Sequence, residues 1–257
     1  MKTYLHQFLT RTGKFSTKND VISAIRKEEI SVDGKTITQP NYQFNANKRV
    51  CWKRRELTIH DQKVYIILNK PEEYLSSRLS PQDKKLGKKS VFDLIDLDER
   101  TKNTLSCVGR LDENTTGLLI LTNDGKLNTA ITQPKNKIPK TYYAHLEKEL
   151  TPAQEEQIRT GVTITLEENG KKTRHKTCPA TIISHGKAAT ITLFEGKKRE
   201  VRRIFESVEN KIISLSRIAI GNLSLYTLNL PKGKWAYLDE KSISTLRNAS
   251  ACARSNR

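Results

Sequence analysis

One acidic residue stands in a polar loop between two apolar stretches, and it is the first candidate for chemistry. Asp112 lies within GRLDENTTGLLILTNDG, residues 109–125. Residues 105–108 are apolar and partly β-branched, and residues 118–122 are typical of a buried strand. A side chain at such a strand–loop junction is held by the sheet and remains open to a cleft. The pattern predicts a catalytic carboxylate, although an Asp in such a connection often only hydrogen-bonds its own turn.

Further segments carry side chains suited to a binding cleft. Tyr142 and Tyr143 lie in a predicted strand, where alternation puts them on opposite faces, so only one can face the cleft. Residues 194–205, FEGKKREVRRIF, combine an acidic–glycine turn with a helix start rich in Lys and Arg. These basic side chains could bind phosphate, or they could simply be solvated. Residues 215–221 form a strand with a single Arg in an apolar context. Asp124, inside an Asn-Asp-Gly turn, is interpreted as structural.

The charge of the chain favours nucleic acid as the partner. Its 257 residues contain 46 Lys and Arg against 28 Asp and Glu, a formal net charge of +18. A broadly positive surface is suited to neutralising phosphates. Binding to anionic lipid is the weaker alternative, because the chain has neither a lipidation motif nor a basic amphipathic helix with aromatic anchors.

Metal, disulfide and membrane functions are disfavoured by the sequence. The four cysteines and five histidines are scattered, with no Cys-x-x-Cys or His–Cys cluster, so we expect reduced thiols and no metal site. No apolar run approaches the roughly 20 residues needed to span a bilayer, and the N-terminus lacks a signal-peptide core. We therefore expect a soluble, cytoplasmic protein that is a monomer.

The first sixty residues predict a compact RNA-binding module. An apolar helix start is followed by a basic loop, a second helix that Ser16 can cap, and a hairpin at Asp33-Gly34. Residues 1–60 hold twelve Lys and Arg against five Asp and Glu, a surplus of seven. The segment resembles the S4-type RNA-binding domain, which is named after a ribosomal small-subunit protein. Lys14 and Lys18 are the predicted RNA contacts of this module.

A second domain is predicted over residues 61–246. It begins with a strand at 64–71, and further strands are predicted near 141–146, 180–184, 189–194 and 223–228. Many strands with few helices between them predict an α+β fold on a mixed, mainly antiparallel sheet with a central cleft. The polar and basic end, residues 247–257, is expected to be a disordered tail.

Taken in order, the motifs resemble the RsuA/RluB-type family of ribosomal RNA pseudouridine synthases. That family has a Gly-Arg-Leu-Asp loop followed by Gly-Leu-Leu-x-Leu-Thr-Asn-Asp-Gly, which residues 109–125 reproduce almost letter for letter. Its Asn-Lys-Pro, Lys-x-Tyr and Glu-Gly-x-x-Arg-x-Val-Arg-Arg motifs match residues 69–71, 140–142 and 195–203. Glu209 stands where the family usually has Gly.

The resemblance implies a role for each matched position. Asp112 would be the nucleophile, Tyr142 would pack against the target base, and Arg202 would pair with the aspartate. Isomerising uridine requires a nucleophile and a closed pocket and no redox agent, so no cofactor is implied. The uridine must leave its stack first, which costs a few kcal/mol. The remaining cations are the predicted RNA contacts, with Arg110 a wedge or phosphate contact: Arg110, Lys197, Lys198, Arg199 and Arg203.

Three functions remain open at this stage. The leading hypothesis is modification of a uridine in ribosomal RNA or a pre-ribosomal particle, with large-subunit RNA preferred and small-subunit RNA the alternative. The second is a non-catalytic ribosome-assembly factor on the same fold, against which the intact motifs argue. A metal-dependent nuclease is disfavoured, because Asp112 has only Glu113 beside it.

Overall fold

The N-terminal part of the chain folds as two helices packed on short strands. The computed structural model describes residues 2–168 and 170–255. The elements of this part are β1 (Lys2–Tyr4), α1 (Leu5–Arg11), α2 (Lys18–Arg26), β2 (Ile30–Val32), β3 (Lys35–Thr36), β4 (Gln43–Asn45), β5 (Val50–Trp52) and β6 (Arg55–Glu56). An apolar cluster within residues 5–57, separate from the clusters of the rest of the chain, forms its core. We call residues 2–60 the N-terminal module.

The second helix of the module begins one residue later than the sequence suggested. Thr17, and not Ser16, is its N-cap: the Thr17 hydroxyl accepts from the backbone N–H of Asp20, and the Asp20 carboxylate accepts from the N–H of Thr17. This reciprocal pair is a capping box, which needs an acidic or amide side chain three residues after the cap. Asp20 lies at that spacing from Thr17.

The rest of the chain is built on one large sheet with helices around it. Its strands are β7 (Tyr65–Lys70), β8 (Tyr74–Leu75), β9 (Lys89–Ser90), β10 (Ser106–Cys107), β11 (Thr116–Thr122), β12 (Lys140–Leu146), β13 (Thr163–Glu168), β14 (Lys171–Lys176), β15 (Thr181–His185), β16 (Ala188–Leu193), β17 (Ile212–Ile220), β18 (Leu223–Ser224) and β19 (Trp235–Tyr237). Its helices are α3 (Pro81–Lys85), α4 (Glu99–Thr104), α5 (Gly125–Thr132), α6 (Pro152–Thr160), α7 (Glu200–Ser207), α8 (Leu225–Leu228) and α9 (Glu240–Ser255). Single 3₁₀ turns lie at Val91–Leu94 and Pro134–Asn136.

The large sheet is mixed and mainly antiparallel, as the sequence predicted. Its order is β15-β16-β12-β17-β11-β7-β19, with β10 paired to β11 and β18 to β17. The β11–β17 pair is parallel, and the other pairs of this sheet are antiparallel. Strands β13 and β14 form a separate hairpin. The α+β class is thereby confirmed.

A glycine permits the parallel pair at the centre of the sheet. Gly117 lies opposite Arg217 and has φ of 101°, a conformation that side chains rarely adopt. A Cβ atom at Gly117 would lie 2.2 Å from the carbonyl oxygen of Arg217. The glycine of the Thr-Thr-Gly-Leu-Leu sequence thus lets β11 approach β17, and it brings the loop before β11 next to β17.

Apolar residues cover the sheet on both faces. The residues of β11 are buried along its whole length, which fits a near-continuous apolar run in a central strand. One cluster contains Leu119 and Leu121, and another contains Leu118 and Ile120, so alternate residues of β11 serve opposite faces. No helix in the described residues is long and apolar enough to cross a membrane.

The N-terminal module docks on α4 through polar contacts. Arg100 donates from Nε to the carbonyl of Thr12 at 3.1 Å and from Nη2 to the carbonyl of Thr58 at 2.9 Å. Asn103 donates to the carbonyl of Gly13, where a Cβ atom would lie 2.1 Å from the carbonyl oxygen of Arg100. The two parts of the chain are therefore in direct contact at α4.

The last helix extends into the segment that the sequence predicted to be a disordered tail. Helix α9 runs over Glu240–Ser255. The last two positions of the predicted tail, 256 and 257, lie outside the described residues.

Candidate active site

Three residues that the sequence proposed for catalysis line one cavity. Asp112, Tyr142 and Arg202 border a cavity of about 60 Å³, although they lie on a loop, a strand and a helix that are distant in sequence. This cavity opens to a groove of about 860 Å³, and Arg110 and Asp112 line both. The arrangement is a narrow pocket at one side of a wide, charged groove.

A buried lysine at the end of β7 binds the loop that carries Asp112. Lys70, at the end of β7, is fully buried. Its ammonium group donates to the carbonyl oxygens of Pro71, Glu113 and Thr115 at 2.9, 3.0 and 2.9 Å. Burial lowers the pKa of Lys70 to about 8, against the opposing charges of Glu113 and Asp112. The lysine replaces lost hydration with three backbone acceptors, two of them in the loop.

Further contacts fix the loop on its other sides. The Ser76 hydroxyl donates to the carbonyl of Leu111 at 2.8 Å and accepts from its N–H at 3.1 Å. The N–H of Thr115 donates to the carbonyl of Asp112, and Lys88 forms an ion pair with Glu113 at 2.7 Å. Asp112 itself is half-buried. Its carboxylate therefore projects from a backbone that is bonded on both sides of it, as a preorganised catalytic group requires.

Arg202 lies on α7 and holds the same loop through a carbonyl. Its guanidinium donates to Asn114 O at 3.0 Å and to Ile212 O at 3.4 Å. Among the described residues it makes no direct ion pair with Asp112, which differs from the pairing that the resemblance implied. Burial lowers the pKa of Arg202, Arg199 lowers it further, and the charge of Asp112 acts in the opposite direction. Asp112 is thus an electrostatic neighbour of Arg202 without touching it.

Tyr142 is the tyrosine that faces the pocket. It is half-buried and packs against two apolar clusters, whereas Tyr143 is 41% exposed and does not line the pocket among the described residues. Tyr142 lies opposite Arg217 across β12 and β17, next to a bulge after Thr141. Arg217 is 2% exposed and donates to the carbonyl of Leu118 at 2.8 Å. The single Arg of this apolar strand therefore joins the central strands and does not face solvent.

Most of the predicted RNA-contacting cations lie along the groove. Lys197, Lys198 and Arg199 are exposed and line it together with the exposed Arg110. Arg203 is different: it lines neither cavity within the described part of the chain, and one of its guanidinium nitrogens is buried without a hydrogen-bond partner there. The remaining two predicted contacts are exposed in the N-terminal module, away from the pocket: Lys14 and Lys18.

A second group of titratable side chains lies behind the groove. The fold brings His175 of β14 to Glu195 and Glu200, and one ligand atom from each lies within 4.8 Å of the others. The sequence did not predict this, because the three residues follow no metal-binding spacing and approach one another only through the hairpin and the turn after β16. These residues have the donor atoms to hold a cation.

Sequence reasoning also missed the role of Lys70. It stands in the Asn-Lys-Pro sequence at the end of an apolar strand, which matches a motif of the family and marks the end of the strand but assigns no role to the lysine. A lysine in an otherwise buried strand was the available signal, because such a charge needs several hydrogen-bond partners. Asp124 is structural, as predicted: it caps α5 and accepts from the Tyr65 hydroxyl and from Arg247.

Comparison with known proteins identifies the family of the chain. Residues 64–207 match the family model described as RNA pseudouridylate synthase. The match covers the loop of Asp112, the strand of Tyr142 and the helix of Arg202. The chain therefore belongs to the RNA pseudouridylate synthase family, which confirms the resemblance drawn from its motifs.

Relatives over nearly the whole chain include proteins named for both ribosomal subunits. The chain is 30% identical to ribosomal small subunit pseudouridine synthase A of Vibrio cholerae over 234 residues, covering 90% of this chain and 94% of that protein. It is also 30% identical to ribosomal large subunit pseudouridine synthase B of Pasteurella multocida, over 95% of this chain and 69% of that protein. A crystal structure of a pseudouridylate synthase is similar to this structure with a TM-score of 0.66 and 25% sequence identity. The similarity covers 95% of this chain and 99% of the other.

Proposed function

We propose that this protein converts one uridine of ribosomal RNA to pseudouridine, and that large-subunit RNA is its substrate. The main observation behind the proposal is that Asp112, Tyr142 and Arg202 line one cavity beside a basic groove. The family of the chain supplies the reaction. Relatives named for the large and the small subunit are similar at the same level of identity, so small-subunit RNA is the second candidate.

In the proposed reaction Asp112 is the nucleophile. Its carboxylate bonds to C1′ of ribose as the bond between C1′ and N1 of uracil breaks. The detached ring turns, and C5 then bonds to C1′ and displaces the carboxylate. The proton of C5 leaves and N1 ends with one hydrogen, so the composition of the nucleoside is unchanged. This route needs an activated carboxylate and a pocket that retains the detached ring. The bonds that Lys70 and Ser76 make to the loop support the nucleophile, because they fix its backbone before RNA arrives.

Tyr142 and Arg202 position the reacting groups. A uracil that enters the cavity from the groove stacks on the ring of Tyr142, whose packing against two apolar clusters keeps it in place. Arg202 orients the carboxylate of Asp112, directly or through the loop carbonyl that it already binds. A planar guanidinium can bind a carboxylate in one orientation, which an ammonium group cannot do.

The basic groove provides the binding energy for base flipping. Extruding a uridine from its stack costs a few kcal/mol, and phosphate contacts and stacking must offset this cost. Exposed cations along the groove, together with those of the N-terminal module, are suited to these phosphate contacts. We propose that the module is an S4-type RNA-binding domain and that Arg110, at the mouth of the pocket, takes the place of the flipped base or contacts its phosphate.

Mapping of pseudouridines tests this proposal. Ribosomal RNA from cells with and without the gene is treated with a pseudouridine-specific carbodiimide and read by reverse transcription. A single large-subunit position that loses its signal in the deletion, and regains it when the purified protein is incubated with that RNA, supports the proposal. A position in small-subunit RNA would support the second candidate. Unchanged maps of both RNAs would remove ribosomal RNA as the substrate.

A further inference from the structure

A buried cluster behind the groove is not explained by uridine isomerisation. It consists of His175, Glu195 and Glu200, whose ligand atoms lie within 4.8 Å of one another. His175 Nε2 lies 3.1 Å from Glu195 Oε2. Both carboxyl residues are nearly inaccessible, with 8% and 4% exposure for Glu195 and Glu200. Ionised groups are rarely buried to this extent unless they are paired.

The hydrogen bonds of the cluster leave one oxygen that accepts none. Glu195 is satisfied at both oxygens, because Oε1 accepts from the N–H of Cys178 at 2.7 Å and Oε2 faces His175. Glu200 Oε2 accepts from the N–H of Lys197 at 2.8 Å. Glu200 Oε1 is buried and accepts no hydrogen bond among the described residues, and a proton on Glu200 would be shared with Glu195. A buried carboxylate oxygen that accepts no hydrogen bond is costly.

The cluster also places two carboxyl groups side by side in a buried position. Two adjacent buried carboxylates cannot both be ionised without a compensating positive charge. A divalent cation bound between them supplies that charge.

We propose that His175, Glu195 and Glu200 bind a divalent transition-metal ion, for which Zn²⁺ is the best-matched probe. One neutral imidazole and two carboxylates are typical zinc ligands, and they leave a fourth position for water. An imidazole in the set favours zinc over Mg²⁺ and Ca²⁺, which prefer oxygen ligands alone. Two carboxylates, a neutral imidazole and a divalent ion sum to zero charge.

The position of the cluster defines what the metal does. It joins the β13–β14 hairpin, through His175, to the turn after β16 and to the first residue of α7. Glu167 of this hairpin and Lys197 of the turn both line the groove. A bound ion therefore cross-links two walls of the RNA-binding groove. The ion supports structure and takes no part in isomerisation, whose proposed steps use only Asp112, Tyr142 and Arg202.

Zinc binding by the full-length protein tests the proposal without RNA. The protein is stripped with a chelator, exchanged into chelator-free buffer and titrated with Zn²⁺ by calorimetry. We expect one ion per chain. At a zinc concentration about 100-fold above the dissociation constant, the melting temperature should rise by roughly 5 °C for a chain of this length. The absence of stoichiometric zinc binding would overturn the proposal.

Matched variants locate the ion. Glu200→Gln keeps the shape and the hydrogen bonds of a protonated carboxyl group, so it should fold as the parent does in chelator, while zinc affinity falls at least about tenfold. His175→Gln should have the same effect on affinity. His185→Gln, an exposed histidine of β15 outside the cluster, is the control and should bind zinc as the parent does. Equal affinity in the parent and in the Glu200 and His175 variants would overturn the assignment.

X-ray absorption at the zinc edge gives a test that does not depend on the folding of any variant. The zinc-loaded parent should show only nitrogen and oxygen neighbours at about 2.0–2.2 Å. A first shell dominated by sulfur near 2.3 Å would place the zinc on cysteines and would contradict the proposed ligands.

Discussion

The ammonium nitrogen of Lys70 lies 3.0 Å from the carbonyl oxygen of Glu113, the residue that follows the proposed nucleophile. Lys70 lies at the end of β7, so this bond connects the sheet to the loop that carries Asp112. The same ammonium group also binds Thr115 O at 2.9 Å. The position of Asp112 therefore depends on a buried residue that, within the described part of the chain, lines neither the pocket nor the groove.

Replacing Lys70 by Met should weaken the fold and the active site together. The methionine fills similar space but takes the donor from the carbonyls of Pro71 and Thr115, whereas the carbonyl of Glu113 keeps the N–H of Glu73. We expect the free energy of unfolding to fall by about 2–4 kcal/mol, since a buried unsatisfied acceptor costs about 1–3 kcal/mol. Lys88→Met is the control, because Lys88 is partly exposed and binds only the Glu113 side chain, so its loss should cost under about 1 kcal/mol. Equal losses in urea denaturation would contradict the role of Lys70.

A strained residue after α7 offers a stabilising change. Glu209 has φ of 58°, the left-handed conformation that favours glycine. It follows the C-terminus of α7, where such a residue commonly ends a helix. Glu209→Gly should therefore raise the free energy of unfolding by about 0.5–1 kcal/mol. Glu206→Gly, in the last turn of α7, should instead lower it by up to about 1 kcal/mol. A destabilised Glu209 variant in the same denaturation series would show that the residue is not strained.

Substitutions of Arg202 should lower the reaction rate, whereas substitutions of the groove lysines should lower RNA affinity. Arg202→Lys and Arg202→Ala should lower the single-turnover rate by about 100-fold at saturating enzyme, because misplacing a reacting group by about 1 Å can cost that much. Lys197→Ala and Lys198→Ala should keep their rate at saturating enzyme and lose affinity modestly. The measurement is the single-turnover rate of limiting labelled RNA against enzyme concentration. A loss of affinity alone at Arg202 would remove it from the catalytic set.

The N-terminal module should contribute phosphate contacts. Exchanging both Lys14 and Lys18 for Ala should weaken RNA binding and lower the slope of log affinity against log salt by about two units, one for each lost contact. The control removes the same charge elsewhere, with Lys232→Ala and Lys241→Ala, which are exposed and lie outside the groove and the module. Filter binding between about 50 and 200 mM salt measures both slopes, because RNA affinity that depends on phosphate contacts changes strongly over this range. Equal slopes in the two double variants would show that the module does not grip RNA through these lysines.

The sequence predicted the fold class and the residues of the pocket, because both are recorded in local patterns. Strand alternation put Tyr142 and Tyr143 on opposite faces, and the motif around Asp112 placed the carboxylate in a loop. The sequence did not predict that Lys70 binds the loop of Asp112 or that His175 lies next to Glu195. These two contacts join residues that are 43 and 20 positions apart. Such contacts depend on strand order and hairpin placement, which no local period encodes.

The most direct test of the account is a single-turnover assay of Asp112→Asn on the RNA found by pseudouridine mapping. The amide keeps the shape of the side chain and loses its nucleophilicity, so conversion should fall by at least about 1000-fold while RNA affinity stays within about twofold of the parent. Both quantities come from one titration of labelled RNA at saturating and sub-saturating enzyme. Turnover within an order of magnitude of the parent would contradict the assignment of Asp112 as the nucleophile.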